Sequence, residues 1–198
     1  MLSILLAVMV AGSTGTPTNL EMAEQVVGQA VTPLADSLCS NGFRSISIEM
    51  VGDNPADWLV EQTARSVFSS FGVAVSAADR TAPEGTTLRL RTMEMAVTLG
   101  SAGRSWVFGA RRVNRIVRCE VSAEVVGQDG TVERSWRSSS DASDRVHQSD
   151  LASLQGSSGQ EWLTGGTPSA SGGGVLEPLV VTGVVASLIY LFYSSRTQ

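Results

Sequence analysis

Few side chains in this 198-residue chain are of types that do chemistry: two cysteines, one histidine among aspartates, and a run of arginines. In an oxidising compartment Cys39 and Cys119 can close a long loop by a disulfide, worth on the order of 4 kcal/mol through lost chain entropy. Two buried free thiols are the other reading, and the sequence leaves both open. Two cysteines and a single histidine offer no metal-ligand spacing, so no metal or cofactor is expected. His147 lies in SDASDRVHQSD, between Asp144 and Asp150 and among serines. Nucleophilic catalysis needs a serine, a base and an orienting acid held in place. There is no GxSxG, and the surrounding composition reads as a solvated loop, so no catalytic residue is assigned. The acidic spacing is not that of a calcium loop either.

The segment Arg104–Arg118, RSWVFGARRVNRIVR, says more. It carries Arg104, Arg111, Arg112, Arg115 and Arg118 and no acid, in a chain whose net charge is −5. Trp106 and Phe108 stand in the same turn region. Arginines beside exposed aromatics at a hairpin tip suit lipid headgroups, an acidic polymer or a protein partner. Alternatively, the two aromatics fold back over the sheet while the arginines pair with the acidic body. Across the chain 14 basic residues, all arginine, face 19 acidic ones, which argues against wholesale binding to nucleic acid.

The elements that must position these residues follow in order. Thr18 with Glu21 forms a capping box. Leu20, Ala23, Val27, Val31 (or Ala30), Leu34 and Leu38 mark the apolar stripe of the helix it opens. Pro33 predicts a kink or break within that helix, and Asn41-Gly42 its end. Ser45–Val51 alternates as a strand, with Ile46, Ile48 and Met50 on one face. Asn54 as cap, Pro55 at the first position and Asp57 in the first turn open a second helix. Its core face is Leu59, Val60, Ala64, Val67, Phe68 and Phe71, and Gly72 ends it. A short strand, Val73–Ala77, follows, then a polar loop over Asp79–Gly85. Thr86–Leu99 is a long strand whose parity changes. Leu88 and Leu90 share a face, but beyond Thr92 the apolar set is Met93, Met95, Val97 and Leu99. A β-bulge near Thr92, or a strand passing between two covered faces, accounts for the change.

Val113–Val126 alternates cleanly except at Arg115, which interrupts its apolar face. Asp129-Gly130 marks a hairpin into Thr131–Ser138, with Val132 and Trp136 facing inward. Setting Leu99 against Val113 pairs Met95 with Val117 and Glu94 with Arg118, so that opposite charges meet on the polar face. From Ser139 onward the composition turns to Ser, Asp and Gly.

Both ends of the chain are apolar. Leu2–Val10 followed by small residues reads as a signal peptide, although a positive n-region is missing. As a helix, Leu176–Ser195 would rise roughly 30 Å, about one hydrocarbon core. Tyr190, Phe192 and Tyr193 gather where a membrane interface would lie, and Arg196 beyond the span favours a cytoplasmic C-terminus. Gly183 and Ser187 form a small-xxx-small pair that permits a homodimer through the span. The plan is then a signal peptide at 1–15, an exported domain at 16–150, a Gly/Ser-rich flexible tether at 151–174, a transmembrane helix at 175–195 and a cytoplasmic tail at 196–198. The expected fold is α+β: two helices packed on one face of a mixed or mainly antiparallel sheet of about five strands, plus the C-terminal transmembrane helix.

The order of elements over Leu20–Ser138, with SISIEMVGDNPADWLVEQTARSVFSSFGVAV the nearest passage, resembles small bacterial envelope modules. These are the amino-terminal domain of TolB and the curli-export and ABC-transport auxiliary lipoproteins. The resemblance implies non-enzymatic work in envelope assembly or transport. The lipid-anchoring cysteine of the lipoproteins is absent, and no residue role carries over. The expectation is a non-catalytic, single-pass protein of the bacterial cell membrane whose extracytoplasmic (periplasmic) domain binds a protein partner. Two alternatives stay open: a hydrolase with an unrecognised site, and an accessory protein holding an apolar ligand between helices and sheet.

Overall fold

The computed structural model describes residues 15–76, 86–104, 110–155 and 160–166. Helix α1, Asn19–Ser40, opens on the expected capping box: the Glu21 amide donates to Thr18 Oγ1 at 3.2 Å and the Thr18 amide to Glu21 Oε2 at 2.7 Å. The expected break at Pro33 does not occur. The proline faces solvent, and the helix runs through it, with the Thr32 hydroxyl donating to the Gly28 carbonyl at 2.7 Å. Strand β1, Ser45–Met50, leads to α2, Asp57–Ser70. The cap of α2 sits two residues later than Asn54, at Ala56. Asn54 instead closes the turn before it, accepting from the Ala56 amide at 3.0 Å.

Strands β2 (Ala74–Ser76), β3 (Thr87–Arg104), β4 (Arg111–Val126) and β5 (Val132–His147) complete one five-stranded sheet in the order β2-β1-β3-β4-β5. β1 is parallel to both of its neighbours, while β3, β4 and β5 are antiparallel. The α+β class and the mixed five-stranded sheet are as expected. A 3-10 turn at Gln148–Asp150 and two short helices, α3 (Leu151–Gln155) and α4 (Glu161–Thr164), follow.

The core lies between α1, α2 and one face of the sheet. Val26, Val27, Ala30, Val31, Leu34 and Leu38 of α1 meet the inward side chains of β1, β3 and β4. The change of parity in β3 is a bulge between Thr92 and Glu94. Thr92 and Met95 both point inward, while Met93 is the extra residue and stands 47% exposed. The expected register of β3 on β4 is two positions off. Met95 pairs with Cys119, Glu94 with Glu120 and Leu99 with Arg115. A second bulge, between Leu99 and Ala102, and a hairpin reaching to Arg104 and Arg111 set this alignment. The shift keeps the apolar faces together, and Glu120 finds its cation on the other side, in Arg137 of β5.

β5 is twice the length expected, because the Ser-rich stretch from Ser139 to His147 continues the ladder on β4. Within the region expected as a tether, α3 and α4 pack onto the body. Leu151 and Leu154 join Leu99, Val113 and Val146 in a small second cluster, and Leu163 is buried in the main core. Gly165 takes the left-handed conformation (φ 68°) that ends α4. A side chain there would come within 2.9 Å of Leu99. Among the described helices none is long and apolar enough to cross a membrane. The expected signal peptide, apart from Gly15, and the expected span, with Gly183 and Ser187, lie outside the described residues.

Candidate functional site

The arginine segment divides into three places with different chemistry. Arg111 and Arg112 are exposed at the start of β4. Arg104, at the end of β3, is opposite Arg111 in the ladder, and His147 of β5 is opposite Arg112. The hairpin thus brings three of the expected arginine positions to one end of the sheet. Trp106 and Phe108, the aromatics expected beside them, lie outside the described residues. Arg118 is also exposed but lies seven residues along β4, roughly 24 Å from Arg111 at strand rise, with Asp141 directly opposite.

Arg115 is removed from any exposed surface, with its side chain 0% exposed. Its Nε donates to Asp144 Oδ1 at 3.0 Å and its Nη2 to Asp144 Oδ2 at 2.6 Å, a two-pronged pair across β4 and β5. The other donors reach the start of α1, Nη1 to Asn19 Oδ1 at 2.6 Å and Nη2 to the Pro17 carbonyl at 2.8 Å. Asn19 in turn donates from Nδ2 to the Leu163 carbonyl of α4 at 2.5 Å. A buried guanidinium needs every donor satisfied, and its planar fork suits a carboxylate and two carbonyl-type oxygens at once. Its break in the apolar alternation of β4 is therefore a structural tie, not part of a binding surface. That network also engages Asp144 with Arg115, leaving His147 half-buried at the end of β5 without that acid as its orienting partner.

Of the two readings left open for the cysteines, the structure has both thiols free. Cys39, in the last turn of α1, points its Sγ at the Phe71 carbonyl, 3.5 Å away. Cys119 lies in the middle of β4, between Met95 and Ser140 in the ladder. Burial, with a smaller push from Glu120, drives the Cys119 thiol up to about 12.

All described helices lie on one face of the sheet. The opposite face alternates charge and small polar groups, as one-sided antiparallel sheets do. Arg89 and Glu49 pair on it at 2.9 Å and Arg137 pairs with Glu120, while Ile116 is half-buried farther along β4, between Thr98 and Ser143 in the ladder. Under α1, a crevice lined by Ala30, Leu34, Val121, Ala123, Trp136 and Ser138 has a free volume of about 10 Å³, the space of a single water. It takes no acyl chain or ring. Among the described residues no group of histidine, cysteine and acidic side chains could hold a metal ion.

No protein family and no curated protein matches the chain. Several solved structures share part of its path, and two of them illustrate the likeness. One is a minor lipoprotein from Acinetobacter baumannii, with 14% identity, TM-score 0.36, and coverage of 57% of this chain and 80% of that one. The other is a putative neuraminyllactose-binding hemagglutinin homolog from Helicobacter pylori, with 15% identity, TM-score 0.35, and coverage of 58% and 75%. At these values the likeness carries no argument about function.

Proposed function

We propose that the chain is a non-catalytic envelope protein, exported and held at a bacterial cell membrane by the apolar span 175–195, whose extracytoplasmic domain binds a protein partner. The observation that supports a binding role is the sidedness of the domain. Its described helices cover one sheet face, while the other presents Arg118, Ile116 and Arg89, with Arg112 at its end and Arg111 beside it on the rim of the sheet. Mixed charge around a half-buried aliphatic group on a rigid sheet is a surface that a protein partner can match, with arginine as the favoured contact residue.

Photo-crosslinking in intact cells tests this. A crosslinker at Ile116 should capture a defined protein, one at Glu24 on the exposed side of α1 should not, and Arg111→Glu/Arg112→Glu should reduce the capture at least fivefold. Equal capture from both positions, or none from Ile116, would overturn the reading.

A further inference from the structure

Strand β5 ends the sheet, and among the described residues no strand lies beyond it. Its regular part pairs with β4 from Arg134 to His147, after an irregularity at Val125/Val126. Every second residue therefore directs its backbone N–H and C=O outward, an edge that proteins ordinarily blunt with charge, proline or a bulge. This edge has charge, but the charge follows a rule that mere protection does not require. Reversed end to end about Ser139, the sequence is complementary to itself. Arg134 falls on Asp144, Ser135 on Ser143, Trp136 on Ala142, Arg137 on Asp141 and Ser138 on Ser140. All four charges between positions 134 and 144 meet the opposite sign, and the one large side chain meets a small one. No other antiparallel register opposes all four, and a parallel in-register alignment sets each charge against its own copy.

We propose that β5 pairs antiparallel with β5 of a second copy, about a two-fold axis through Ser139, joining two five-stranded sheets into one. Pairing over Arg134–Asp144 supplies roughly ten backbone hydrogen bonds to groups that no described strand pairs. Because residues of like parity meet, both sets of helices stay on the same side of the joined sheet. On the other side each Asp141 lies between Arg118 of its own β4, which it faces in the ladder, and Arg137 of the second copy. A closed two-fold contact of this kind stops at the dimer, because each copy has one such edge and it is used up. This surface is separate from any contact through the apolar span.

The full-length chain in nonionic detergent, in a Cys39→Ser background, provides the test. Ser139→Cys places its thiol on the axis, so mild oxidation should yield a covalent dimer. Ser135→Cys, whose copies stand roughly 27 Å apart at strand rise, should not. Arg137→Asp and Asp141→Arg each set like charges together twice and should weaken dimerisation about tenfold. An equimolar mixture of these two variants restores both opposite-sign contacts and should associate as tightly as the parent. The inference is overturned by a monomeric parent at tens of micromolar, by no crosslink at position 139, by charge variants that dimerise like the parent, or by a mixture no tighter than its components.

Discussion

Arg115 can interrupt the apolar face of β4 because its buried guanidinium is held by Asp144, Asn19 and the Pro17 carbonyl. Its place on the apolar face of β4 was legible as an anomaly. Its partners were not, because Asp144, Asn19 and Pro17 approach it only through the tertiary fold. Replacing it with methionine keeps the volume but leaves the Asn19 and Asp144 oxygens without their donor. The expected loss is about 3 kcal/mol in urea unfolding, the low end for a buried pair because Asp144 retains 27% exposure. Asp144→Ala should cost at least as much, since it strands a guanidinium with no exposure at all. The cysteines were legible as a pair of residues but not as a pair in space. With Cys119 pushed up to about 12, its thiol stays protonated at neutral pH and shielded from reagents. Mass spectrometry after alkylation without reductant should show at most one adduct on the native chain and two in denaturant. No adduct in denaturant would mean a bridge.

Among elements, those with local signatures were legible: the capping box of α1, its apolar stripe, the bulge near Thr92 and the Asp129-Gly130 turn. The second half of β5 was not, because serine and aspartate have turn propensity, and only the long ladder offered by β4 holds them extended. The register failed for a similar reason: the bulge after Leu99 falls in Gly100-Ser101, which carry no apolar pattern to betray a skipped residue. A proline ordinarily kinks or breaks a helix, yet α1 accommodates Pro33 on its solvent side. Pro33→Ala should therefore stabilise the protein by about 1–3 kcal/mol, restoring an amide donor toward the Gln29 carbonyl, with the gain read as a rise in urea midpoint at constant slope. Gly165→Ala should act in the opposite sense, costing about 1–3 kcal/mol, because it adds a contact with Leu99 to a left-handed backbone. If α4 were only resting on the sheet, that change would be silent.

For the whole molecule, the domain plan places a folded body between two apolar ends, and α3 and α4 move the edge of that body to at least Gly166. The stretch expected as a tether to the proposed anchor at 175–195 is correspondingly shorter. Deleting 175–198 should release the protein into the soluble fraction; continued membrane fractionation would move attachment to the first fifteen residues or to the arginine end of the sheet. The Arg115 tie also has a kinetic consequence. Its hydrogen bonds close sequence separations of 96 and 98 residues, and the Asn19–Leu163 bond one of 144. Contacts that span about half of the chain or more are expected to form after the main barrier, once the hairpins have already collapsed. Asn19→Ala, which removes only long-range bonds of the tie, should then speed unfolding while leaving the folding rate nearly unchanged, giving a φ-value near zero in a chevron plot. On this account the tie is a late latch: it does little to find the fold and sets how long the finished domain persists before opening.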